Sequence, residues 1–181
     1  MRFAAGAPEK RKYPVIDEQL RTIIDNIGHD HIATETKDKA IILLLYATQL
    51  RRSEIAALTT HDLQFLSDGR LEITMSSGTN RYHKSQSQIV VEEREDQNYC
   101  PIYALESWFT ILNISDGPLF RPVNRHGHIQ ETASMSGQSI YIVVKKWTDN
   151  LSPSSFRHEN DSNTLIHSTS DTFDMHLYQK S

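Results

Sequence analysis

The stretch Ile41-Ile42-Leu43-Leu44-Leu45-Tyr46-Ala47-Thr48-Gln49-Leu50-Arg51-Arg52-Ser53-Glu54-Ile55-Ala56-Ala57-Leu58 decides the fold. Five consecutive apolar residues cannot sit on a one-sided surface helix. They read as a helix that is apolar on most sides and central to a core. Arg51 and Arg52 then fall where one helix ends and the next begins. Such a junction is seldom fully solvated, so an arginine there has an acidic or anionic partner, and a phosphate fits the guanidinium fork best. The plainer alternative is that Arg51 or Arg52 pairs with Glu54 or Asp62 and only pins the junction.

Outward from this core, the pattern gives a mainly α chain with a small antiparallel β-sheet. Residues 1–13 are a basic arm or linker that ends at Pro14. Asp17 opens a helix with Leu20, Ile23, Ile24 and Ile27 at helical spacing, and Gly28 closes it. Residues 30–36 read as a loop, residues 37–50 as the second helix, and Ser53 as the cap of a third, short helix to Leu58. The period then changes from helical to two: Leu71, Ile73 and Met75 alternate with polar residues after a Ser67-Asp68-Gly69 turn. A polar loop over 77–87 leads to a β-branched strand over 88–92, which together make a hairpin. Pro101 sits well at a helix start, and Ile102, Leu105, Trp108, Phe109 and Leu112 form its apolar face. Residues 121–127 are a basic loop. Ser136 or Ser139 caps a last helix that places Ile140, Val143, Val144 and Trp147 on one face. No period is sustained after Trp147.

Composition narrows the classes. The chain has 181 residues, 38% hydrophobic and 23% charged, as an ordinary globular domain does. The lone Cys100 rules out an internal disulfide and suits a reducing, cytoplasmic compartment. The longest apolar run is far too short to span a bilayer. There is no secretory signal, no Gly-rich phosphate loop and no metal-ligand spacing around Cys100, His126 and His128. The net charge of -4, from 19 Lys+Arg against 23 Asp+Glu, weighs against nucleic acid. The basic residues are nevertheless clustered, around Arg51-Arg52, between Arg81 and Lys84, after Arg121 and at Lys145-Lys146. Trp108 and Trp147 are expected in the core.

The segment around Arg51 resembles the first catalytic motif of the tyrosine recombinases, the phage integrase family. Cys100-Pro101-Ile102-Tyr103-Ala104-Leu105 is similar to the Cys-Pro-x-x-Ala-Leu helix start of many integrases. Gly117-Pro118-Leu119-Phe120-Arg121-Pro122-Val123-Asn124-Arg125-His126-Gly127 is similar to a loop of the same group. The resemblance covers roughly residues 6 to 156. It implies a catalytic-domain-like fold over residues 14–156 that is incomplete at the C-terminus, without the family's amino-terminal DNA-clamping domain.

The resemblance also implies a chemistry. A tyrosine attacks a DNA phosphodiester to form a 3′-phosphotyrosyl link. Two arginines stabilise the phosphoryl charge, a lysine protonates the leaving 5′-oxygen and histidines assist. Arg51 matches the first arginine, and Glu54 an acidic residue that orients it. The hairpin lysine is replaced by Gly78 in Ser77-Gly78-Thr79, with Lys84, Arg81 or His83 as substitutes in the same loop. His158 falls at the histidine position, but Asp161 stands where the second arginine belongs. Tyr178 is the candidate nucleophile, and Arg52, Arg81, Lys84, Arg121 and Arg125 are candidate DNA contacts. The likeness stops abruptly at Phe156, which implies that the polar tail, 157–181, is disordered or out-of-frame translation.

The expected function is therefore DNA recombination and integration for a mobile element, without a completed cleavage reaction. The partners are double-stranded DNA and other recombinase protomers, with no cofactor, no metal and no membrane. The competing readings are a non-catalytic DNA-binding or regulatory remnant and a helical protein-interaction module.

Overall fold

The computed structural model describes residues 18–28, 30–77, 85–114 and 116–149, and the architecture below is that of these residues. The basic arm, Arg81, Lys84, His158, Tyr178 and the tail 157–181 lie outside them. The domain is mainly helical with one small sheet. Its helices are α1 (Glu18–Asn26), α2 (Ile32–Thr48), α3 (Arg52–Ala57), α4 (Pro101–Leu112) and α5 (Gly137–Thr148). Its strands are β1 (Leu63–Phe65), β2 (Leu71–Ser77) and β3 (Ser85–Val91), and short 3-10 turns cover Thr60–Asp62 and Gln97–Tyr99.

Helix α2 is the axis of the core. Residues 40–45 are all buried, so every side of the helix is covered, chiefly by α4 and also by α5, α3 and β3. It begins at Ile32 rather than Lys37. Its first turn carries few core residues, so apolar spacing cannot mark it. Glu35 instead marks it by accepting the His31 backbone N–H at 2.9 Å. Helix α4 follows Cys100 with Pro101 in its first turn and packs Trp108 fully inside, where the indole N–H donates to the Leu119 carbonyl at 2.8 Å. That bond satisfies the one polar atom the ring buries.

The sheet is an antiparallel meander in the order β1-β2-β3. Its register aligns Leu63, Ile73 and Ile89, and likewise Phe65, Leu71 and Val91. Directly opposed residues share a face, so one side of the sheet is apolar and meets the helices. Phe65 ends that face edge-on against Phe109 of α4, with ring centroids 5.7 Å apart. Strand β1 is too short, at three residues, to show an alternation in the sequence.

Of the three buried charged residues of α2, Glu35, Lys37 and Asp38, the last two are the most deeply buried. Asp38 is only 1% exposed and Lys37 5%. The Asp38 carboxylate accepts the Trp147 indole N–H at 3.0 Å and lies 3.3 Å from Lys146 Nζ, which fastens the end of α5 to α2. Lys37 Nζ lies 3.3 Å from the other carboxylate oxygen, off the hydrogen-bonding direction.

Candidate nucleic-acid interface

Three residues, Gln49, Leu50 and Arg51, separate α2 from α3. Gln49 ends α2 in the left-handed region (φ 56, ψ 25), with its backbone N–H on the Leu45 carbonyl at 2.9 Å. A residue with a β-carbon pays for that conformation, so the sharp stop is built in. The buried Thr48 hydroxyl donates to the Leu44 carbonyl at 2.7 Å and accepts the Leu50 N–H at 3.3 Å. The chain is thereby fixed on both sides of the turn before it reaches Arg51.

Arg51, not Ser53, is the N-cap of α3. Its extended backbone (φ -68, ψ 149) sends its N–H to the Glu54 carboxylate at 2.7 Å, and its carbonyl accepts the N–H groups of Glu54 and Ile55. Glu54 therefore orients the arginine through its backbone and not through its guanidinium. Asp62 is likewise engaged, by the N–H and the hydroxyl of Thr59, both at 2.8 Å. Neither carboxylate pairs with Arg51, whose side chain is exposed and has no hydrogen-bonding or ionic partner among the described residues.

Arg52 behaves differently. Its guanidinium lies 5.6 Å over the Tyr141 ring of α5. Helix α5 packs against this turn at its first residue, Gly137, where a β-carbon would stand in ordinary contact, 3.4 Å from Ser53 N and Cα and 3.5 Å from Arg52 Cγ. Ser136 caps the helix by accepting the Ser139 N–H at 3.1 Å. The amino end of α5, with its partial positive charge, thus stands beside the Arg51-Arg52 pair. This grouping can hold an anion such as a phosphate. The part played by Tyr141 was not legible in the sequence.

The loop between α4 and α5 separates two further arginines. Arg121 was expected to reach DNA, but its side chain is turned inward. It is 4% exposed and donates to the Pro118 carbonyl at 3.1 Å, to the Asp116 carbonyl at 3.0 Å and to the Glu131 carbonyl. Carbonyls at both ends of the loop claim its donors, so it braces the loop and has no fork left for a phosphate. Gly117 makes room for it: φ is +110, and a β-carbon would sit 2.6 Å from Arg121 Nη2. Arg125 is exposed at the loop tip. The Asn124 side chain shapes that tip by accepting the N–H groups of His126 and His128, and Arg125 Nε lies 3.0 Å from His126 Nε2.

Of the expected site residues, the structure brings Arg51 and Arg52 together, puts Arg125 on a separate exposed tip and withdraws Arg121. Among the described residues, no three His, Cys, Asp or Glu side chains group as a metal site, and no helix is long and apolar enough to cross a membrane.

No family model matches the chain. The chain is similar to an integrase/recombinase xerD homolog of Selenomonas ruminantium, at 29% identity over 147 residues. The match covers 81% of this chain and 42% of that relative. The domain built around Arg51 is thus similar to a recombinase over most of its own length, and it spans less than half the length of that relative.

Proposed function

We propose that this chain is a DNA recombination and integration protein of the tyrosine recombinase type, that its domain corresponds to the catalytic domain, and that it binds double-stranded DNA with Arg51 against a phosphate. The observation that carries this reading is the Arg51 guanidinium. It is exposed on a rigidly built junction, and both nearby carboxylates, Glu54 and Asp62, are already engaged elsewhere. A charge-assisted fork held in place without an internal anion suits a phosphate. Arg52 and Arg125 extend the contact, with Arg81 and Lys84 from the hairpin loop, and Arg121 drops out because its donors are spent.

In the full reaction Tyr178 would attack the phosphorus and His158 would assist. Asp161, at the position of the second arginine, sets a negative charge against the phosphate, so the chain binds duplex without completing cleavage. Other recombinase protomers on the same DNA, and service to a mobile element, belong to the same reading.

The test is fluorescence anisotropy of a labelled duplex across a salt series. Binding should weaken steeply with salt, and Arg51→Ala should weaken it on all sequences and lower the salt slope by about 1. A nicked duplex that traps phosphotyrosine should give no covalent adduct. An adduct that Tyr178→Phe removes would overturn the inactive half of the proposal. No binding to duplex at low salt would refute the DNA reading and leave the arginine pair to an acidic protein partner.

A further inference from the structure

At the far end of α2 from Arg51, a cavity of about 260 Å³ opens between α1, α2 and α4. It is several times the ~30 Å³ share of one water molecule. Ile24, Ile27 and Ala104 form an apolar floor, and Asp25, Glu35 and Lys39 stand around it.

The carboxylates are the informative groups. Glu35 is 91% buried, being 9% exposed. Its Oε2 accepts the His31 N–H at 2.9 Å. Its Oε1 lies beside Gly28 at the cavity wall, 3.3 Å from where a β-carbon would stand, and accepts no hydrogen bond from a described residue. Asp25 Oδ1 accepts the Asn98 amide at 3.1 Å and the Tyr99 hydroxyl at 2.8 Å, which leaves Oδ2 open. Lys39 Nζ is turned to Asn98 Oδ1, and burial holds its ammonium below the ordinary lysine range. The lining itself holds two carboxylates against one lysine, with Arg21 just outside it, 4.8 Å over the Tyr99 ring. Glu35 Oε1 and Asp25 Oδ2 thus face the cavity with no donor from a described residue, and an anion in this place would meet like charge.

We propose that this cavity binds an organic monocation, an alkylguanidinium or alkylammonium group, with its head against Glu35 Oε1 and Asp25 and its aliphatic stem on Ile24 and Ile27. The exposed Tyr103 ring at the mouth offers a face for a planar guanidinium. The cation comes either from a free small molecule or from an arginine or lysine side chain. The inference does not depend on DNA binding.

The experiment is an NMR titration of the full chain with n-butylguanidinium, read at the Gly28 and Ala104 amides, with n-butanoate and n-butanol as anionic and neutral controls. Saturating shifts are expected with the cation alone. Glu35→Gln should weaken binding about ten-fold. Because Glu35 also caps α2, that variant can fail to fold. Ser107→Leu, at a half-exposed position of α4 on the cavity wall, then decides the matter and should abolish the shifts. No saturation, an equal response to butanoate, or an unchanged titration in Ser107→Leu would overturn the proposal. Replacing Arg2, Lys10, Arg11 and Lys12 together with glutamine separates the two sources. A several-fold tighter titration means that a basic side chain of this protein competes for the cavity, and an unchanged one assigns it to a free cation.

Discussion

Asp38→Asn should destabilise the protein more than any surface change, and the structure says by how much. Asp38 is buried, and Lys37 beside it has no other anionic partner among the described residues. Breaking a buried pair by removing one partner costs about 3–5 kcal/mol. The Lys37 contact is off the hydrogen-bonding direction, and Lys146 is half in water and recovers its hydration. Asp38→Asn therefore belongs at the lower end, about 3 kcal/mol. With a urea dependence of about 2 kcal/mol per molar, the unfolding midpoint falls by about 1.5 M. Asp38→Ala also strands the Trp147 indole N–H, which adds about 1–2 kcal/mol. The diagnostic variant is the double change. Lys37→Met in the Asp38→Asn background removes the orphaned charge and should recover about 2 kcal/mol of the loss. Urea melts followed by tryptophan fluorescence measure all three. The reasoning is refuted if Asp38→Asn lies within about 0.5 kcal/mol of the parent, or if the double variant is no more stable than the single one.

Gly117→Ala should cost about 1–3 kcal/mol in a thermal melt, because it meets both the positive φ and the Arg121 guanidinium. Gly127→Ala, with φ +82 but open space around it, should cost only about 1 kcal/mol. The Tyr99 phenol is held above its ordinary 10.0 chiefly by its hydrogen bond to Asp25, with burial second. The folded state thus keeps this proton more tightly than the unfolded chain, and the stability it contributes is full below pH 10.0 and lost as pH rises through the folded value. Asp25→Asn should bring the phenolate titration, read by ultraviolet absorbance, back toward 10.0; an unchanged titration would exclude the Asp25 bond as the cause. Resequencing the gene past the codon for Phe156 and translating the other frames should restore His-x-x-Arg and a spaced tyrosine. If no frame does so, residues 157–181 are authentic and the out-of-frame reading falls.

Much of the fold was legible because burial leaves a periodic trace. The run 41–45 announced a central helix, the alternation at Leu71, Ile73 and Met75 a half-buried strand, and Pro101 a helix start. The first turn of α2 was missed because its signal is a side chain reaching back to a backbone amide. The Lys37-Asp38 pair was missed because charge in a sequence reads as surface. The site was legible in part. The odd placement of Arg51 and Arg52 pointed to their junction, but residue type alone could not separate Arg121, whose donors all turn inward, from Arg125, which faces outward. That difference lies in which carbonyls the loop brings within reach.

The bond from Trp147 to Asp38 joins positions 109 residues apart, and this has a consequence for the chain as it is being made. Ribosomes add about 5–20 residues per second, so α2 waits roughly 5–20 s after its own synthesis for the last of its partners among the described residues. Throughout that interval one of the most apolar helices of the protein is only partly covered, and a buried aspartate has no indole to meet it. A nascent chain stalled before α5 should therefore be a strong chaperone substrate, and slowing translation between the codons for Asp38 and Trp147 should lower soluble yield without changing a single residue.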